Sequence, residues 1–80
     1  MPRFKIGTRF QSLAKSPIEC EVVDILTTTN SAGEVVEVRY RCAHVFLGRL
    51  VHHVENDTTV AKGVCRLRGV NSIEEAELIS

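Results

Sequence analysis

Two segments and the turn between them decide the fold: Glu19-Cys20-Glu21-Val22-Val23-Asp24-Ile25-Leu26-Thr27-Thr28-Thr29, then Asn30-Ser31-Ala32-Gly33, then Glu34-Val35-Val36-Glu37-Val38-Arg39-Tyr40-Arg41-Cys42-Ala43-His44-Val45-Phe46. Val36, Val38 and Tyr40 alternate with Glu37, Arg39 and Arg41, the period of two that a strand needs when one face is dry and the other wet. The stretch reads as a β-hairpin. A four-residue turn sets Thr29 opposite Glu34, Thr27 opposite Val36, Ile25 opposite Val38 and Val23 opposite Tyr40, with Asp24 opposite Arg39 on the other face. Val23, Ile25 and Tyr40 then share the interior. Val22 and Leu26 fall on the Arg39 face.

Working outward, Phe4, Ile6, Thr8 and Phe10 share one parity, which predicts a first strand over residues 4–11, with Gly7 marking a bulge or a close backbone approach. Residues 12–17 lapse into a loop that Pro17 closes. Beyond Phe46, Gly48 marks a reversal and the chain returns as a strand through Val54. A three-residue loop over 47–49 is preferred, because it sets Phe46 opposite Leu50, His44 opposite His52 and Cys42 opposite Val54. That register buries Phe46, Leu50 and Val54 together, each contributing roughly 1.5–3 kcal/mol when fully buried. A two-residue loop would put Val51 and His53 there instead.

Asn56-Asp57 supplies a helix N-cap, residues 58–62 one helical turn, and Gly63 its left-handed stop. Cys65 and Leu67 alternate with Arg66 and Arg68 as a last strand ended by Gly69. Ser72 with Glu75 forms a capping box for a helix over 73–79, with Ile73, Ala76 and Ile79 on one stripe. The fold class expected is mainly β: a small SH3-like antiparallel barrel, or an open meander sheet, with one helical turn and a short C-terminal helix. Residues 1–70 form the β domain and 71–80 an acidic helical tail of that domain.

The 80 residues suit one domain with a small core. Ten Lys plus Arg balance ten Asp plus Glu, so no overall field draws nucleic acid or an anionic membrane. The charge is uneven: Arg3, Lys5, Arg9 and Lys15 stand in residues 1–18 without an acid, and Glu74, Glu75 and Glu77 in 71–80 without a base. Cys20, Cys42 and Cys65 are odd in number and widely spaced, which points to free thiols in a reducing compartment. Neither a secretory leader nor a run of about 20 apolar residues is visible, so a soluble cytoplasmic protein is expected.

In the preferred register Cys42, His44 and His52 point to one face, and thiolate and imidazole are zinc ligands. Strong zinc motifs hold ligands in close pairs, which this chain lacks, so no metal or other cofactor is expected and the imidazoles are read as the rim of the core. Cysteine-histidine catalysis by the same group would need an oriented base, an oxyanion hole and a cleft, and a small sheet offers little of the last. A non-enzymatic binding module is therefore expected. Its partner is a protein or a second copy of the chain, met through Val22, Leu26, Arg39 and Arg41. The second reading is nucleic acid along a stripe of Arg39 and Arg41 on one strand and Arg66 and Arg68 on another, joined by Arg3, Lys5 and Arg9. Glu37 and Asp24 interrupt that stripe, and too few aromatic residues remain to stack bases.

Phe4-Lys5-Ile6-Gly7-Thr8-Arg9-Phe10, Glu21-Val22-Val23-Asp24-Ile25-Leu26-Thr27, Asn30-Ser31-Ala32-Gly33-Glu34-Val35-Val36, Arg39-Tyr40, His44, Phe46, Gly48 and Thr59-Val60-Ala61-Lys62-Gly63 resemble a group of short uncharacterised reading frames of phage, prophage and plasmid sequences. The resemblance covers residues 4–63 and rests on strand pattern and turn residues. It implies a small accessory protein of a bacterial mobile element and brings no activity or site.

Overall fold

The structure, a computed structural model, describes residues 2–74. Four strands, β1 (Arg9–Gln11), β2 (Glu19–Thr29), β3 (Val35–Phe46) and β4 (Arg49–Asn56), form one antiparallel sheet in the order β1-β2-β3-β4, and α1 (Asp57–Arg68) follows at once. The protein is mainly β, an open meander with a helix on one face. The last strand expected over 64–68 does not form. Those residues belong to α1, so β1 and β4 remain the two edges of the sheet. The helix expected over 73–79 and its Ser72–Glu75 box fall largely on residues 75–80, outside the described residues; Ile73 packs against the margin of the core.

The central hairpin keeps its parity through two offsetting departures. Asn30, not Thr29, pairs with Glu34: the Asn30 N–H donates to the Glu34 carbonyl at 2.9 Å, and Asn30 Oδ1 accepts from the N–H groups of Ala32 and Glu34 at 2.9 and 3.0 Å. Gly33 completes the turn at φ 82°. A bulge then shifts the pairing by one more residue, from Thr29↔Val35 to Thr28↔Glu37. The register is thus two residues from the one expected, and Ile25 pairs with Tyr40. Two one-residue slips return side chains to the same faces. Tyr40 is fully buried and Arg39 exposed, as the alternation required.

A second bulge, between Val22 and Asp24, reverses the pattern lower in β2. Val22 pairs with Cys42 and is fully buried, whereas Val23 is half-buried. Cys20 comes to the dry face with it. The core consists of Phe4, Phe10, Cys20, Val22, Tyr40, Cys42, Val60 and Val64, with Ile25, Val38, Ala61, Val70 and Ile73 at its margin.

The first strand is shorter than its sequence pattern. Gly7 at φ 97° turns the chain, the Thr8 N–H donates to the Lys5 carbonyl at 3.1 Å, and only Arg9–Gln11 pairs as regular strand with β2. Gly7 N–H and Thr8 carbonyl nevertheless bond to Val22 at 2.8 and 2.9 Å, so the flagged glycine does mark an irregular backbone approach.

The β3–β4 turn has two residues, not three. Phe46 pairs with Arg49, and Leu47 and Gly48 between them take φ 52° and 76°. Two positive φ values in a two-residue loop mark a type I′ turn, whose twist matches that of the strands. The expected register would have put Phe46, Leu50 and Val54 on the core face together, but the two-residue turn sends Leu50 and Val54 to the open face opposite Val45 and Arg41, and Phe46, Leu50 and Val54 are all exposed.

The helix begins where β4 ends. Asn56 is both the last strand residue and the N-cap, its Oδ1 accepting from the Thr59 N–H at 2.8 Å. Gly63 does not stop it. The stop is Gly69, left-handed at φ 71°, and Val60, Gly63 and Val64 form the buried stripe between. A Cβ on Gly63 would lie 2.4 Å from the Gln11 carbonyl oxygen and 2.6 Å from Phe10 Cδ2. The helix rides against β1 at the distance only glycine permits.

Two stability changes follow. Gly63→Ala gains about 1 kcal/mol of helix propensity but drives a methyl into backbone and ring, and a net loss of about 2 kcal/mol in chemical denaturation is expected. Leu47→Asn relieves a left-handed leucine that is 86% exposed and contributes little packing, and a gain of about 1 kcal/mol is expected in the same assay.

Candidate binding surface

The sheet has one covered and one open face. α1 and the segment containing Phe4 lie over Phe10, Cys20, Val22, Tyr40 and Cys42. The open face carries Arg9, Glu21, Val23, Ala43, Val45 and His52, which line a shallow trough. Toward the hairpin tip this face turns apolar: Val45 pairs with Leu50, each 64% exposed, and Val54 pairs with Arg41. On the other side of the same hairpin Phe46 and Val51 are also exposed. Apolar residues thus flank the tip of β3–β4 on both faces.

The four residues expected to meet a protein do not form one patch. Val22 is in the core, because the bulge at Val23 reverses the lower half of β2. Leu26 is half-buried opposite Arg39, whose Nε lies 3.3 Å from Glu37 Oε1. Arg41 is exposed between Asp24 and Val54. Leu26, Arg39 and Arg41 therefore share the open face, and Val45, Leu50 and Val54 supply the apolar area that Val22 was expected to give.

The arginine stripe is dispersed. Arg66 and Arg68 occupy the last turn of α1, not a strand, where their charge suits the negative helix terminus. Arg3 is ion-paired with Asp57 at the other end of the helix, and Lys5 lies exposed in the turn before β1. Arg9 shares the open face with Arg39 and Arg41 but stands 3.3 Å from both Glu19 and Glu21. Acidic partners thus neutralise much of the row along which a phosphate backbone would lie.

Cys42, His44 and His52 are not brought together. With a two-residue turn, Cys42 faces His53 and Ala43 faces His52, so His52 points to the open face and Cys42 into the core. Cys42 Sγ lies 3.5 Å from the Tyr40 carbonyl, and burial pushes its pKa up to about 12. Both are what a thiol packed as a small core hydrophobe shows. His44 instead meets Cys20 and His53 across three strands. The sequence signal for this was Gly48: a glycine one residue before the returning strand fits a two-residue loop as well as a three-residue one. No helix among the described residues is long and apolar enough to cross a membrane.

The buried thiol carries a pH consequence. An unfolded Cys42 loses its proton near 9 and the folded one holds it to about 12, so stability is complete below the lower value and is lost as pH rises between them. In that window urea titrations of Cys42→Ala should show a shallower decline than wild type, by about 1.4 kcal/mol per pH unit. Comparison of the chain with protein-family models, curated proteins and solved structures finds no match.

Proposed function

We propose that the protein is a non-enzymatic β module, of the kind a small accessory reading frame of a mobile element would encode, that acts by protein–protein contact through the outer edge of β4. The observation that carries this reading is an eight-residue edge strand flanked by exposed Leu50, Val51 and Val54. An open edge of this length is a template for another strand.

In this reading the occupant of the edge is a second copy of the chain, and the pattern of the edge supports it. In a two-residue hairpin the flanking pair Phe46 and Arg49 exchanges both hydrogen bonds, so Arg49, Val51, His53 and Glu55 turn their backbone groups toward β3. Leu50, His52 and Val54 turn theirs outward. Antiparallel pairing about a two-fold axis at His52 matches outward groups with outward groups, Leu50 against Val54 of the second copy and the reverse. The same register sets Arg49 against Glu55 of the second copy at both ends. Apolar pairs, opposite charges and backbone donors agree in one alignment.

Size-exclusion chromatography with light scattering tests this. A dimer is expected for wild type and a folded monomer for the double variant Leu50→Lys, Val54→Lys. Arg49→Glu should weaken the dimer and Arg49→Glu with Glu55→Arg should restore it. A wild-type monomer throughout the micromolar range sinks the proposal.

A further inference from the structure

On the helix-covered side, three neighbouring strands converge on a cluster that the contact surface does not use. Cys20 of β2, His44 of β3 and His53 of β4 each offer one ligand atom, and these atoms all lie within 4.8 Å of one another. The two imidazoles meet edge to face with centroids 5.1 Å apart. Cys20 is buried at the end of the core, and both histidines are half-buried.

The ring nitrogens make the case. Nδ1 of His44 and Nδ1 of His53 are both buried, and neither has a hydrogen-bond partner among the described residues. Buried polar atoms are almost always satisfied, and leaving one unpaired costs about 1–3 kcal/mol. Two such atoms beside a thiol are therefore a donor set with nothing to donate to. Glu55 Oε1 stands 3.5 Å from His53 Nε2, a neighbour that favours the proton on Nε2 and leaves the lone pair on Nδ1. A carboxylate behind the far nitrogen is the arrangement that orients metal-bound histidines.

We propose that Cys20, His44 and His53 form a three-ligand site for a divalent transition cation of the zinc class, with water in the fourth position. One thiolate and two imidazoles suit a borderline-soft tetrahedral ion and do not suit magnesium or calcium, which require oxygen. Binding replaces the Cys20 thiol proton, which leaves to solvent, with a sulfur–metal bond. No electron is transferred. Because a proton is released on binding, affinity rises with pH. The three ligands make no contact that the dimer needs, and Glu55 is the one residue the two proposals share.

The chelator-treated full chain, kept reduced, is titrated with Co2+ and then Zn2+. The expected result is one Co2+ per chain with a sulfur-to-cobalt charge-transfer band, displaced by Zn2+, and a melting temperature that rises with Zn2+. Cys20→Ser should abolish the band, and His44→Ala and His53→Ala the thermal shift. Glu55→Gln should weaken binding about 10- to 100-fold. Cys42→Ala and His52→Ala should leave band and affinity unchanged. The proposal is overturned by a wild-type titration with no charge-transfer band, by a band that survives in Cys20→Ser, or by a loss in His52→Ala equal to that in His53→Ala. If Cys20→Ser does not fold, as circular dichroism would show, the wild-type band and the His53→Ala thermal shift decide.

Discussion

The hydroxyl of Tyr40 is the joint on which the architecture turns. The ring is fully buried at the centre of β3, and a phenol in that position must find partners or forfeit the burial. It donates to Asp57 Oδ1 at 3.1 Å and accepts from the Phe4 N–H at 3.4 Å, while Phe4 stacks edge-on at 5.8 Å. Asp57 is the first residue of α1 and also pairs with Arg3. One side chain therefore ties the middle of the sheet to the start of the helix and to the segment before β1. The Gly63 contact with Phe10 and Gln11 fixes the helix a second time, farther along its axis. Two fixed points on a twelve-residue helix leave it one way to cross the sheet.

Much of this was legible in the chain. The alternation of Val36, Val38 and Tyr40 with charged residues correctly divided the β3 segment into a wet and a dry face, because period-two burial is a local property of a strand. Asn30 and Gly33 correctly placed the first turn. What could not be read was the bulges, which cost one unpaired residue each and leave no fixed residue signature. The one at Val23 exchanged Val22 for Val23 in the core, a choice between identical side chains on which sequence is silent. Residues 64–68 depart from expectation for a different reason. Cys65-Arg66-Leu67-Arg68 alternates well enough for a strand and Gly63 reads as a stop, yet Val60, Gly63, Val64 and Leu67 keep helical spacing once glycine is counted as a packing residue.

The candidate metal cluster depends on the bulge at Val23 and on the two-residue β3–β4 turn. Cys20 reaches the covered face only through the bulge at Val23, and His53 rather than His52 joins it only because the β3–β4 turn has two residues. A single leucine held at positive φ thus decides which of two adjacent histidines meets the thiol. The residue types were visible from the start and their convergence was not, since it required the register of three strands at once.

The order in which the pieces are made bears on how the chain survives its own synthesis. The meander emerges strand by strand through local pairings, which form quickly. Its apolar face, however, is covered by the element made after all four strands, and the deepest contact of that element is with β1, the first. Until Val60 and Val64 have left the ribosome, Phe10, Val22 and Tyr40 have no lid, and the nascent sheet exposes the surface that invites association with neighbours. A helix that follows β4 with no linker shortens that interval to the translation of about a dozen codons.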